Sequence, residues 1–159
     1  MSTRRVLSTS GKKMEKVFYT TSAAETKKSA MSFAKKLRKG DVISLIGDLG
    51  SGKTTFVQGL AAGLGIKEGV KSPSFTVVNE YAYKDQKLFH IDLYRLGEND
   101  FDSLGLDDYI FGGGIAVIEW ADRVMEDRLK ASYRIKIFWE EENKRKIVID
   151  NLSQVEYRK

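Results

Sequence analysis

Apolar and polar positions recur with two rhythms along this chain. Between Ala23 and Arg38, Ala30, Phe33, Ala34 and Leu37 fall on one stripe at helical spacing, which predicts a helix packed by one face. Ser22 and Glu25 have the spacing of a capping box at its start, Lys35, Lys36 and Arg38 suit its last turn, and Gly40 follows as a stop. DVISLI (41–46) and IAVIEW (115–120) are short, nearly continuous apolar runs of the kind that form buried strands. Ser74–Tyr83 and Leu88–Arg95 predict a hairpin across KDQK, and Tyr133–Trp139 with Lys146–Asp150 a second across EENK. Thr54–Leu64 reads as a helix ended by Gly63 and Gly65, FDSLGLDDYIFGGG as a short helix and loop, and ADRVMEDRLK as another short helix. This order predicts an α/β fold with a mixed sheet and flanking helices.

The residues between the first buried run and the helix after it carry the chemistry. GDLGSGKTT (47–55) contains Gly47-x-x-x-x-Gly52-Lys53-Thr54, the Walker A spacing, placed after a strand and before a helix. Its glycines let consecutive N–H groups turn toward one anion, and the following helix adds its positive end. Asp48, Leu49, Gly50, Ser51, Gly52, Lys53, Thr54 and Thr55 are therefore expected to hold a nucleotide's phosphates. Lys53 would reach the terminal phosphates, and the Thr54 hydroxyl would serve Mg2+. A chance glycine-rich turn is the bland alternative, and the strand-to-helix context counts against it.

A magnesium nucleotide site also needs carboxylates at neighbouring strand ends. Alternation in LFHIDLYR puts His90, Asp92 and Tyr94 on one face, and such a face needs a polar neighbour inside an α/β domain. Glu119 ends an apolar run, and a lone buried glutamate is costly unless paired or metal-bound. A structural salt bridge, such as Asp92 with Arg95, would explain either acid without chemistry. KSPSFT (71–76) carries the single proline, Pro73, and would present Ser72, Ser74 and Thr76; read blandly it begins a strand. Trp120 reads equally as core packing.

Composition narrows the function class. The 159 residues suit one domain, with 42% hydrophobic and 31% charged residues, and no run approaches the roughly 20 apolar residues of a membrane span. Absence of cysteine removes disulfides and thiolate metal sites, and fits a reducing cytoplasm. The net charge of +5 would invite nucleic acid, but residues 1–16 alone carry +4. They are expected to form a basic, disordered tail before a single domain over 17–159. The nearly neutral remainder does not predict a basic face with aromatic platforms for RNA.

Taken together, GDLGSGKTTFVQGL, VKSPSFTVVNEY, HIDLYRL, GLDDYI and VIEWADR, in this order, resemble the bacterial TsaE (YjeE) family, the ATPases of tRNA threonylcarbamoyladenosine formation. The resemblance spans Gly47–Arg123, about half the chain. It implies a compact P-loop ATPase with a three-layer, P-loop NTPase-like fold that binds ATP and Mg2+, works with the TsaB and TsaD proteins and meets tRNA indirectly through the complex. It also implies catalytic roles for Lys53, Asp92 and Glu119, metal binding by Thr54 and Glu119, and nucleotide contacts from Trp120 and, at the first helix start, Ser22. Ser74 stands where the family often has threonine. The rival is a P-loop small-molecule or nucleotide kinase, whose arginine-bearing lid is missing: 97–114 holds five acids and no arginine. A GTPase would need Asn-Lys-x-Asp, and Asn143-Lys144 continues as Arg145-Lys146.

Overall fold

The computed structural model describes residues 3–7, 14–97 and 99–153. Its strands are β1 (Thr3–Leu7), β2 (Met14–Thr20), β3 (Val42–Ile46), β4 (Val78–Tyr83), β5 (Gln86–Asp92), β6 (Ile115–Glu119), β7 (Tyr133–Trp139) and β8 (Arg145–Asn151). They form one mixed sheet in the order β1-β2-β8-β7-β3-β6-β5-β4. β3 runs parallel to β6 and β7, and β5 parallel to β6, while the remaining neighbours are antiparallel.

The sheet has an apolar layer on each face. Residues Ile43, Leu45, Leu88, Ile115, Val117, Ile135 and Ile137 meet helices α1 (Ala23–Ala34) and α2 (Lys53–Leu64) through Phe33, Phe56, Val57 and Leu60. The alternate positions Val42, Ile91 and Ile118 meet the short helices α3 (Asp100–Ser103), α4 (Asp107–Ile110) and α5 (Glu126–Leu129) through Phe101, Leu106, Ile110 and Leu129. One face thus receives two long helices in close contact. A Cβ on Gly59 of α2 would lie 2.3 Å from the Lys27 carbonyl oxygen and 2.6 Å from Lys27 Cα. Gly59→Ala is therefore expected to lower stability by about 1–3 kcal/mol, because overpacking exceeds alanine's helix-propensity gain of about 1 kcal/mol. Chemical denaturation would show a lower midpoint; an unchanged or raised midpoint would contradict the tight α1–α2 contact.

Several boundaries differ from the sequence expectation. Half of the expected capping box forms, with Glu25 N donating to Ser22 Oγ at 3.1 Å, whereas the Glu25 carboxylate accepts from Thr21 N at 2.7 Å in place of Ser22 N. Helix α1 ends at Ala34, and Lys35, Lys36 and Leu37 continue it as tight turns bonded to carbonyls three residues back, so the cations lie beyond the last turn. Ser74–Thr76 form a turn, not a strand, and Val77 sits at φ 67, which delays β4 to Val78.

The expected tail over 1–16 is corrected in part. Thr3–Leu7 is strand β1, and Met14–Lys16 open β2, which pairs with β8 on one side and β1 on the other. The free edge of a strand offers unpaired N–H and C=O groups that a preceding segment can satisfy. Residues 1–2 and 8–13 lie outside the described residues.

Candidate functional site

Three adjacent parallel strands, in the order β3-β6-β5, bring their carboxyl ends to one edge of the sheet. The glycine loop leaves β3, Glu119 closes β6, and Asp92 closes β5, with Asp92 and Glu119 directly opposite in register. A crevice at the carboxyl ends of parallel strands is where open α/β sheets bind ligands. Here it is a cleft of about 350 Å³ lined by Leu49, Gly50, Gly52, Lys53, Thr54, Thr55, Ser72, Ser74, Asp92, Tyr94, Arg95, Glu119 and Trp120.

Local backbone geometry builds the loop. Gly50 and Gly52 have φ of 80° and 107°, a region open to glycine and costly for residues with a Cβ. Gly52 caps α2 without any side-chain bond, and the first turn of α2 has no acid, so its N–H groups and positive end face the cleft unneutralised. At Gly47 the constraint is space instead: a Cβ would come within 2.5 Å of Ser51 Oγ and 2.7 Å of the Ile137 carbonyl oxygen.

Lys53 is only 6% exposed. Its Nζ donates to the carbonyls of Gly47 at 2.5 Å and Asp48 at 3.0 Å, and lies 4.2 Å from the Trp120 ring centroid. Burial pulls the Lys53 pKa below the ordinary lysine value, opposed by the negative fields of Glu119, Asp92, Asp48 and Asp122. The sign of the pH effect follows. An anion in the cleft would prefer charged Lys53, so its affinity would be full while Lys53 is protonated and would fall as pH rises through the lowered pKa. Calorimetric titrations with ATP up to about pH 10 should show this weakening before an ordinary lysine would titrate. Affinity that stays flat across that range would contradict contact between Lys53 and the anion.

The acids are held by different partners. Thr54 Oγ1 donates to Glu119 Oε1 at 3.3 Å and Oε2 at 3.4 Å, and His90 Nε2 stands 2.5 Å from Glu119 Oε2. Asp92 Oδ2 accepts from Ser72 Oγ at 3.4 Å and Ser74 Oγ at 3.2 Å, while Oδ1 accepts from Tyr94 N at 2.8 Å. Asp92 thus ties the KSPSFT turn to β5, and its backbone N donates to the carbonyl of strained Val77 at 2.9 Å. Trp120, immediately after Glu119, is also left-handed at φ 57 and packs against Tyr94 in a tilted arrangement, with centroids 4.9 Å apart. Left-handed backbone at a β-branched or bulky residue is costly; Trp120 lines the cleft, and Val77 is bonded to the backbone of Asp92, which does.

Most of the residues singled out in the sequence converge here. Lys53, Thr54, Asp92, Glu119 and Trp120 share the cleft with Leu49, Gly50, Gly52 and Thr55. Asp48 and Ser51 belong to the loop, with the Asp48 carbonyl accepting from Ser51 N at 3.0 Å, but do not line the cleft. Ser22 remains at the α1 cap, and Thr76 Oγ1 donates to Asn79 Oδ1 at 2.9 Å; neither lines the cleft. Salt-bridge readings of the acids do not hold for Asp92 and Arg95, since the Arg95 guanidinium lies 4.5 Å from the Phe75 ring centroid.

The structure adds residues that sequence reasoning did not assign. Ser72 and Ser74, not Thr76, are the hydroxyls of KSPSFT that reach Asp92. Arg145 Nε donates to the Ser51 carbonyl at 2.9 Å, with its guanidinium 5.0 Å from the Trp139 ring centroid, and so braces the loop from β8. No local sequence signal places a residue 94 positions away against the loop.

Fold and cleft together define a mixed-sheet α/β protein with a glycine-rich loop running from a central strand into a helix. The family model "Threonylcarbamoyl adenosine biosynthesis protein TsaE" matches residues 20–147, and the chain belongs to that family. It is similar to the tRNA threonylcarbamoyladenosine biosynthesis protein TsaE of Bacillus subtilis (strain 168), 46% identical over 67% of this chain and 67% of that one. The protein of that name from Nostoc sp. is 50% identical over 55% of this chain and 57% of its own length. That from Aquifex aeolicus is 42% identical over 80% and 90%, respectively. The crystal structure of Bacillus subtilis YdiB superposes with a TM-score of 0.73 at 35% identity, covering 87% of this chain and 86% of that one.

Proposed function

We propose that this protein is a cytoplasmic, Mg2+-dependent ATPase of tRNA threonylcarbamoyladenosine formation, acting with TsaB and TsaD proteins and reaching tRNA through them. The observation that carries the reading is the convergence of Lys53, Thr54, Asp92 and Glu119 on one cleft at three adjacent strand ends. Among the described residues no helix is long and apolar enough to cross a membrane.

The residues fit the metal. Mg2+ is usually held by one or two carboxylates with substrate phosphates and waters, not by an all-protein cage. Glu119 and the Thr54 hydroxyl supply such a set, and no cluster of three or more acidic or histidine ligands occurs among the described residues. Glu119 and the Thr54 hydroxyl would hold the ion, which would offset the charge developing on the phosphate oxygens.

The chain's own groups do the rest. Loop N–H groups and the α2 terminus receive the phosphates, and Lys53 exchanges the Gly47 and Asp48 carbonyls for a terminal phosphate oxygen. Asp92, oriented by Ser72, Ser74 and Tyr94 N, positions a water in line with the terminal phosphorus. The water oxygen bonds to that phosphorus as the bond to the bridging oxygen breaks, giving ADP and phosphate. The arginines near the cleft are engaged with other groups: Arg95 over Phe75, Arg123 over Tyr94 and Trp120, and Arg145 on loop carbonyls. Hydrolysis by the protein alone is accordingly slow, and a partner accelerates it by supplying a group or ordering KSPSFT.

Phosphate release from ATP and GTP, with Mg2+ or with chelator, tests the reading. Slow, Mg2+-dependent release that favours ATP supports it. A phosphoryl group appearing on an added small metabolite would transfer the site to the kinase class.

A further inference from the structure

His90 lies at the centre of β5 with no solvent exposure, between Asn79 of β4 and Val117 of β6. Leu88 and Asp92 share its face of the strand, the face turned toward α2. An apolar side chain would fill that position without needing any partner, whereas a buried imidazole needs one. The ring's Nε2 meets Glu119 Oε2 at 2.5 Å, and Nδ1 has no hydrogen-bond partner among the described residues. The histidine's polar chemistry is therefore directed at a single atom, one oxygen of Glu119.

Glu119 depends on that contact. The torsion that turns a glutamate carboxylate is broad, so hydrogen bonds must set its plane. Among the described residues its side-chain partners are His90, at 2.5 Å, and the Thr54 hydroxyl, at the longer 3.3 and 3.4 Å. A carboxylate only accepts, so the ring nitrogen facing it donates. Oε2 is thereby anchored at His90, while both oxygens stay within reach of the Thr54 hydroxyl at the cleft.

Resting on the ATPase reading above, we infer that His90 is the positioning residue that fixes the Glu119 carboxylate in the orientation needed for Mg2+. It touches neither nucleotide nor water and acts through Glu119 alone. Partners that orient a ligating carboxylate typically change metal affinity by about 10–100-fold when removed.

Three substitutions separate this role from packing. A glutamine at this position carries its amide nitrogen the same number of bonds from Cβ as Nε2, whereas an asparagine carries it only as far as Nδ1. Melting temperature, ATP affinity with Mg2+ or EDTA, and hydrolysis rate against Mg2+ concentration would be measured for His90→Leu, His90→Asn and His90→Gln. His90→Leu and His90→Asn should raise the half-saturating Mg2+ concentration about 10–100-fold, with kcat largely recovered at saturating Mg2+. His90→Gln should return it to within about threefold of wild type. If His90→Leu is too unstable to assay, the glutamine–asparagine pair decides, because both are polar. An unchanged Mg2+ requirement in His90→Leu, or equal requirements in the glutamine and asparagine proteins, would overturn the inference. A wild-type protein that binds ATP equally in Mg2+ and EDTA would instead remove the metal reading, and this inference with it.

Discussion

Lys53→Ala is expected to lower ATP turnover by at least about 100-fold while leaving the melting temperature near that of wild type. Removing one preorganised charge-stabilising group from a dry site costs about 100–1,000-fold in rate. The fold should survive because Lys53 contributes no apolar contact that the core needs. Its contacts are two loop carbonyls and the Trp120 ring, and burial disfavours its charge. Calorimetry with ATP and phosphate-release assays on the same preparation would check both halves. Tight nucleotide binding and normal turnover by the alanine protein would remove Lys53 from the site.

Glu119→Gln and Asp92→Asn should each suppress turnover, with the Mg2+ requirement changing mainly at Glu119. Both replacements remove a charge at nearly constant shape. In Glu119→Gln the amide carbonyl oxygen can still accept from His90. In Asp92→Asn the side-chain amide can keep Tyr94 N and the Ser72–Ser74 pair once the two hydroxyls rotate. Loss of activity would thus report electrostatics, not collapse of the strand ends. The expected loss is about 100-fold or more for Glu119→Gln, the group proposed to face the metal directly. Hydrolysis rate as a function of Mg2+ distinguishes the two, since Asp92→Asn should lower kcat at every Mg2+ concentration. Wild-type turnover and Mg2+ dependence in Glu119→Gln would return that acid to a structural role.

What the sequence disclosed depended on how local each signal was. DVISLI and IAVIEW predicted β3 and β6 because a strand buried on both faces has no polar face to preserve, and their ends fell where the cleft formed. The His90–Asp92–Tyr94 face demanded a polar neighbour, and β6 provides one: Glu119 stands opposite Asp92 and accepts from His90. The glycine loop was legible because its conformation is written in Gly50 and Gly52 themselves.

Other features depended on pairing that no short window contains. MEKVFYT (14–20) has strand-forming residues in alternation, with Phe18 and Thr20 buried on one side, yet the basic composition of 1–16 put its first three residues in a tail. Its pairing with β8, at the far end of the chain, and with β1 makes it a strand. In KSPSFT, the choice of Ser72 and Ser74 over Thr76 follows from the turn after Pro73 and the left-handed Val77, which aim the serines at Asp92 and leave Thr76 to Asn79. Ser22 kept its capping role, a local fact that the sequence shows directly, whereas a nucleotide contact there is not supported by the cleft's lining.

ATP hydrolysis by this chain is proposed to sustain tRNA threonylcarbamoylation. The most direct test is the number of threonylcarbamoyladenosine residues formed per TsaD protein, in a mixture of TsaB, TsaD, tRNA, ATP and the threonylcarbamoyl donor. With the wild-type chain present, modification should continue through many rounds while ATP is consumed. With Lys53→Ala, it should stop after about one round or fewer, as expected if hydrolysis by this chain resets the complex. Equal numbers of rounds with wild type, with Lys53→Ala and without the chain would contradict the account.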